Sequence, residues 1–288
     1  MLKIKTAEDI AAYKAGAGKL SKEVLRHVGL MVKPGVTTLE LDRAAESYIR
    51  AHGGTPGFKG YGGFPATLCT SVNEQVVHGI PSPTTKLREG DIISIDTGAN
   101  VDGWAGDNAW TFYVGEVSDE VRGLCECTRD CLKAAIKEAV PGNHLGDLGH
   151  AVQTLAESNG YGVVRDYVGH GIGHDMHEDP NVPNWGKPGR GVLLQVGMFI
   201  AIEPMITLGS PRVKTLSNGW TVVTRDGKPA AHFENVVAIT EDGPVILSED
   251  ETGPWCAMFG GADYVELKVD EIDESDEAPE EEKKEDAE

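Results

Sequence analysis

The sequence predicts an α/β (α+β) domain, built as a pseudo-twofold repeat of helix-helix-strand units around a central antiparallel sheet and followed by an acidic tail. Three observations predict it. The first is a constant spacing. Gly90 and Gly197 lie 107 positions apart, and so do Pro34-Gly35 and Pro141-Gly142, Leu41 and Leu148, Ala44 and Ala151, and Gly53 and Gly160. Isolated matches arise by chance, but one offset held across several positions marks a repeated unit. Two long copies make a pseudo-symmetric domain rather than a solenoid. The second is a pair of apolar runs of strand length, Ile92-Ile93-Ser94-Ile95-Asp96 and Phe199-Ile200-Ala201-Ile202-Glu203, each ending in a carboxylate at the same offset. The third is a break in composition near the end of the chain. Residues 249–288 hold 17 acidic and 3 basic residues, a net of −14 out of −20 for all 288 residues, which leaves only −6 for the rest.

The first unit opens at Thr6-Ala7-Glu8-Asp9, a capping box that predicts a helix running to about Val32, where Pro34-Gly35 breaks it. Thr37-Thr38-Leu39-Glu40 is a second capping box, and its helix runs to about His52 before Gly53-Gly54. A loop rich in glycine and aromatics follows, Gly57 to Pro65. It reads equally as a binding surface or as a packed loop under the domain. Thr67–Val72 and Glu74–His78 read as strands. Then comes the central hairpin, with Ile92–Asp96 as one arm, turn chemistry at Gly98–Gly103, and Asn108–Tyr113 as the other arm. The second unit has helices at about Asp119–Val140 and Leu145–Asn159, a strand at Gly162–Tyr167, and the Glu203 strand. Trp220–Thr224 and Ala231–Glu234 flank a turn at Arg225–Lys228 and read as a hairpin, with Glu234 on its return arm. No linker-like stretch separates the units. The expected organisation is one domain over 1–250 and a tail over 251–288 that is too polar from about Asp270 onward to fold by itself.

Composition excludes several function classes. Forty per cent apolar residues support a packed core. No basic surface suited to nucleic acid is visible, no run is long enough to span a membrane, and the first residues lack a signal-peptide apolar stretch. Five cysteines, an odd number, form no disulfide framework. The cytoplasm is therefore the expected compartment. Cys125, Cys127 and Cys131 cluster on a predicted helix with no histidine nearby, which favours packed thiols over a metal site.

The chemistry gathers on carboxylates. A lone pair such as Asp96 and Asp107 is usually a cap and a turn residue. Here Glu203 and Glu234 also fall at strand positions, giving four acids in two mirrored halves. A buried acidic cluster repels itself unless cations neutralise it, and two divalent ions balance four carboxylates. A neutral imidazole completes such a set. His170 is the best candidate, following a strand and flanked by Gly169 and Gly171. Mixed carboxylate and imidazole ligands suit Mn, Fe, Co or Zn rather than Ca or Mg. Paired metals sharing a water are the pattern of hydrolytic two-metal sites. His177 lies seven residues beyond His170, a spacing that needs the bend Gly171 and Gly173 permit. His78 sits in the same His-Gly-Ile triplet as His170. His174 reads as structural or surface. His232, two residues before Glu234, could support the ligands.

These residues and their flanks, Ile95-Asp96-Thr97-Gly98, Gly169-His170-Gly171-Ile172-Gly173, Ile202-Glu203-Pro204 and Phe233-Glu234-Asn235, resemble the type I methionine aminopeptidases over roughly Ile4 to Leu247. The resemblance implies the pita-bread fold and a dinuclear centre in which Asp107 and Glu234 bridge two metals, Asp96 chelates one, and His170 and Glu203 bind the other. It implies that His78 and His177 contact the peptide, with Glu203 moving a proton. It also implies that Tyr61, Phe64, Cys69, Met176 and Trp220 form the pocket for a methionine side chain. Phe58 stands where many relatives have cysteine, and Met176 where many have phenylalanine. No zinc-finger extension precedes Met1, as in the short bacterial form. The implied activity is removal of the N-terminal methionine of nascent polypeptides when the next residue is small. The ribosome exit region would be the meeting place and a monomer the working form. The rivals are an Xaa-Pro aminopeptidase or prolidase of the same fold, which usually carries an additional N-terminal domain, and a non-catalytic binding protein, which would have lost ligands.

Overall fold

The structure is a computed structural model and describes residues 2–248. The expected acidic tail lies outside the described residues. Five helices, α1 (Ala7–Ala15), α2 (Ala17–Leu30), α3 (Thr38–Ala51), α4 (Asp119–Glu138) and α5 (Leu145–Ser158), pack on a nine-stranded sheet in which every pairing is antiparallel. This is the pita-bread arrangement. At its centre Trp104–Tyr113 meets Glu234–Thr240. Ile92–Val101 and Leu68–Val72 extend one side, and Phe199–Ile202 and Gly169–Gly171 extend the other. Two small three-stranded sheets flank it.

The repeat is present in the backbone itself. Gly35 and Gly142 have φ of +95° and +91°, Gly53 and Gly160 +77° and +81°, and Gly90 and Gly197 +88° and +89°. A side chain at these angles is strained, which is why glycine marks each copy. The single bridge Thr37 to Lys86 recurs as His144 to Leu193. The capping box of Thr37 and Glu40 recurs as His144 and Asp147. On α2 the buried stripe is Ala17, Ser21, Val24, Leu25 and Val28. The same offset carries it onto Leu124, Thr128, Cys131, Leu132 and Ala135 of α4, all buried. Each stripe holds the helical period of a core-facing side. α2 lies on the Ile92–Val101 and Trp104–Tyr113 strands, and α4 on the strands Phe199–Ile202 and Glu234–Thr240. Cys125 and Cys131 are thus core residues, and the four described cysteines are free thiols.

Four expectations need correction. The first predicted helix is two helices, because Gly16 leaves helical geometry (φ −106°, ψ −100°) and turns the chain between α1 and α2. The central hairpin is longer than expected. Pairing continues through Gly98 with Asp107 to Val101 with Trp104, and the reversal is made by Asp102 and Gly103, both at positive φ. An Asp-Gly pair suits such a two-residue turn. Gly98 and Ala99 therefore serve as strand residues. Finally, Val222–Thr224 and Ala230–His232 do not form a hairpin. The first pairs with Val213–Thr215 and Gln75–Val77, and the second with Met205–Thr207. Glu234 opens a separate strand in the main sheet. The strand expected over 162–167 is only Gly162–Val163.

Candidate active site

Sheet register brings the sequence-predicted ligands to one face. Residues opposite each other across a ladder share a face, and so do residues two apart along a strand. Asp96 pairs with Ala109, and Ala109 pairs with Glu234. Gly98 lies two residues beyond Asp96 and pairs with Asp107. Val236, two residues beyond Glu234, pairs with Ala201, which lies two before Glu203 and also pairs with His170. All five side chains therefore project from the same side of the sheet centre. The ladder partners of Asp107, of Asp96 and Glu234, and of His170 include Gly98, Ala109 and Ala201, small residues on the same face. Cys69 joins the face directly, since it pairs with Asp96.

The side chains converge. Ligand atoms of Asp107, His170 and Glu234, all buried, lie within 4.8 Å of one another, a cluster placed to bind a divalent metal ion. His170 Nε2 is 3.5 Å from an Asp107 oxygen and 3.7 Å from Glu203 Oε1. The electrostatics fit a cation. Burial first, and then the charges of Asp107 and Glu203, push the Asp96 carboxyl well above its ordinary range. Burial and the charges of Asp107, Glu203 and Asp96 do the same to Glu234. For His170, burial pulls downward, but contact with Asp107 and the charges of Glu203 and Asp107 outweigh it and hold the ring at about 8. One oxygen each of Asp96, Asp107 and Glu234 is buried without a hydrogen-bond partner. Unpaired buried carboxylate oxygens are costly, and a metal satisfies all of them at once. The donor set, carboxylates with one imidazole, is that of Mn, Fe, Co or Zn.

A cavity of about 190 Å³ opens on this cluster. Phe58, Tyr61, Phe64, Cys69, His78, His177 and Trp220 line it together with the five predicted ligands. Phe64 and Trp220 meet edge to face at 5.2 Å, and Trp220 stands edge-on to His78 at 6.3 Å. Burial, then the charges of Asp96, Asp107 and Glu234, hold the Cys69 thiol far above its ordinary value, so it stays neutral. Met176 is the exception among the predicted pocket residues. It is buried in the core cluster that includes Phe58, Phe64 and Cys69, behind the wall rather than on it. The Gly57–Pro65 loop lines one side of this cavity through Phe58, Tyr61, Gly62 and Phe64, with a single turn at Tyr61–Gly63.

The histidines separate by role. The His177 and His170 rings lie 4.2 Å apart between centroids, tilted by 48°, so the Gly171–Gly173 bend does bring both into one pocket. His177 Nδ1 lies 2.9 Å from the Tyr61 hydroxyl. Desolvation, then the neighbouring His170, hold His177 down at about 4. His78, at a positive φ of 59°, is lowered mainly by burial. His174 faces outward, stacked on Trp104 and bonded to the Gly103 carbonyl. His232 is buried with Nε2 3.6 Å from Glu203 Oε2. Its backbone is held at both N–H and C=O by the Thr111 hydroxyl. The Thr111 contact and Asn184, which donates to the Glu203 carbonyl at 2.9 Å, were invisible in the sequence. Both span residues far apart in the chain and carry no local signal.

A metal-binding cluster on the inner face of a pita-bread sheet defines a metal-dependent peptidase. The model of Metallopeptidase family M24 matches residues 15–241. A methionine aminopeptidase of Clostridium acetobutylicum is 54% identical over 248 residues, which cover 86% of this chain and 99% of that protein. The crystal structure of methionine aminopeptidase from Thermotoga maritima superposes with a TM-score of 0.85 at 45% identity, covering 87% of this chain and 100% of that one. The prolidase from Pyrococcus horikoshii shares the fold alone, at 21% identity and a TM-score of 0.70, and this chain covers 64% of it. The chain belongs to metallopeptidase family M24 and, within it, to the bacterial-type methionine aminopeptidases. Among the described residues no helix is long and apolar enough to cross a membrane.

Proposed function

We propose that the chain removes the N-terminal methionine from nascent proteins and peptides whose second residue is small, by metal-assisted hydrolysis. The observation that carries this is the position of the carboxylate-histidine cluster at the floor of an apolar cavity, in a chain that matches methionine aminopeptidases over nearly their whole length. Two divalent ions would be held by Asp96, Asp107, His170, Glu203 and Glu234. Bound there, they supply Lewis acidity toward water and the scissile carbonyl.

The remaining work belongs to this chain's side chains. Phe58, Tyr61, Phe64, Cys69 and Trp220 enclose the thioether side chain, with Met176 backing the wall. Glu203, less buried than Asp107 or Glu234, takes a proton from the attacking water and passes it to the leaving amine. His177 is neutral at pH 7 because it titrates at about 4. The Tyr61 hydroxyl donates to its Nδ1, which leaves the proton on Nε2 as a donor for the developing oxyanion. His78 orients the scissile amide. The free thiols support a reducing compartment, the cytoplasm, where nascent chains leave the ribosome and a monomer would meet them. A catalytic domain over 1–250 contains every residue invoked.

The test is cleavage of a Met-Gly peptide and an Xaa-Pro peptide after chelation and addition of Mn, Fe, Co or Zn. Release of methionine from the first alone is the expected result. Cleavage of the Xaa-Pro peptide instead would assign the prolidase activity.

A further inference from the structure

Outside the cluster just described, one pair of charges is buried with no role in the chemistry. Lys5 Nζ and Glu178 Oε2 are 2.7 Å apart, with side chains 6% and 2% exposed. The pair joins the N-terminal segment to the loop that carries His177. That loop connects the paired strands Gly169–Gly171 and Glu178–Val182, and His177 is its last residue before Glu178. Lys3 adds a second tie, reaching Glu178 Oε1 at 3.1 Å and Asp175 at 2.7 Å. The anchor on the other side is rigid. Lys5 N–H donates to the Gly197 carbonyl at 2.8 Å, and Gly197, at φ +89°, lies so close that an added Cβ would come within 2.5 Å of the Lys5 carbonyl oxygen. Gly197 begins the strand approach to Glu203. The segment therefore fastens the His177 loop to the element that bears Glu203.

Gly173 makes room for the pair. A Cβ there would stand 2.7 Å from Glu178 Oε1 and 2.8 Å from Lys5 Cε. A buried ion pair is a poor means of gaining stability, since desolvation offsets the attraction, but it fixes geometry because either charge left alone is costly. Between Gly171 and Glu178 the loop is also held by Ile172 and Met176 in the core, by the Gly173 carbonyl accepting from Ala105 N–H, and by His174 on Trp104; the ion pair is the tie at the residue next to His177.

We propose that the Lys5–Glu178 pair is a positioning device for His177: it sets the height of the ring over the metal cluster and its reach to Tyr61, and through it the N-terminal segment controls turnover. This rests on the aminopeptidase reading above. A misplacement of about 1 Å in a catalytic group can cost 10²-fold in rate. Lys5 pairs with Glu178, and Glu178 borders a cavity shared by His170 and His177 without bonding either ring, so both act as positioning residues.

The experiment compares Lys5→Met, Glu178→Gln and Gly173→Ala in the full, manganese-loaded chain, each alone and combined with His177→Ala. Gly173→Ala displaces the flexible ends of the pair without removing a charge, and serves if a charge-deleting variant does not fold. The expected result is a fall in kcat of about 10²-fold with KM and manganese stoichiometry unchanged, and less than about twofold further loss in the His177→Ala background. Histidine side-chain NMR of the same variants loaded with diamagnetic zinc should show the His177 signals displaced while those of His78 hold. Losses that multiply with His177→Ala, or folded single variants with normal kcat and an unmoved His177 signal, would overturn the proposal. A wild-type chain that leaves Met-Gly peptides intact with metal bound would instead overturn the aminopeptidase reading, and the NMR shift would still decide the placement of His177.

Discussion

The Tyr61 hydroxyl and His177 Nδ1 are 2.9 Å apart, with their rings stacked at 5.2 Å, although 116 residues separate them. One comes from the glycine-rich loop and the other from the loop after the His170 strand. A hydroxyl donating to Nδ1 would leave Nε2 to carry the proton, the tautomer that the proposed oxyanion donor needs. Replacing Tyr61 with Phe keeps the apolar wall and removes only this donor. We expect kcat to fall by about tenfold, the scale of one hydrogen bond, with KM and metal content little changed. Steady-state kinetics with metal analysis on the same preparation checks it.

His177→Ala should lower kcat by about 10²–10³-fold, the usual cost of an oxyanion donor, and leave metal binding intact. Metal loss that tracks activity would make His177 a ligand instead.

The titration of His177 has a definite sign. Its folded value, about 4, lies below the ordinary histidine value of 6.5. Between those two pH values the unfolded chain holds a proton that the folded chain lacks. The stabilising contribution of neutral His177 is therefore fully present above 6.5 and is lost as pH falls toward 4. The ring should stay neutral at pH 5.5, where a histidine at its ordinary value of 6.5 is mostly protonated. An NMR titration showing His177 half-protonated near 6.5 would contradict the desolvation that the cavity imposes.

Stripping the metal should abolish cleavage and lower the melting temperature, since the ion binds only the folded state. The raised Asp96 and Glu234 carboxyls add a further signature. Without metal they hold protons above the ordinary carboxylate range. Adding Mn or Co to the stripped protein in weak buffer should then release protons as the ligands ionise. Calorimetry in buffers of different ionisation enthalpy reads that number directly.

Deleting the residues after Asp270 should leave Met-Gly cleavage within about twofold, because a strongly acidic, apolar-poor segment adds little to a packed site. Among the described residues, those that line the cavity lie between Phe58 and Glu234. Peptide kinetics on the shortened chain decides it.

Much of this protein was legible in one dimension. The 107-residue offset placed Asp96 and Glu203 as equivalents because a repeat copies backbone demands along with side chains, and the matched positive φ of Gly90 and Gly197 shows that demand. Helix limits were readable where the signal was local, as at the Thr37–Glu40 capping box. The departures share one cause. Gly16 sits inside a helical pattern, and only packing decides whether the chain continues or turns there. Val222–Thr224 and Ala230–His232 look like hairpin arms from their turn, yet each finds its partners in a different sheet. Residue types named the candidate ligands, but only register set them on one face with Gly98, Ala109 and Ala201. The sequence by itself determined which groups could hold a metal and which backbone positions had to be glycine, because those follow from side-chain chemistry and local dihedral limits. Tertiary structure alone decided that Met176 backs the pocket wall, that Tyr61 meets His177, and that Lys5 meets Glu178. Such contacts join residues far apart in the chain, and their distances exist only once the sheet has closed around them.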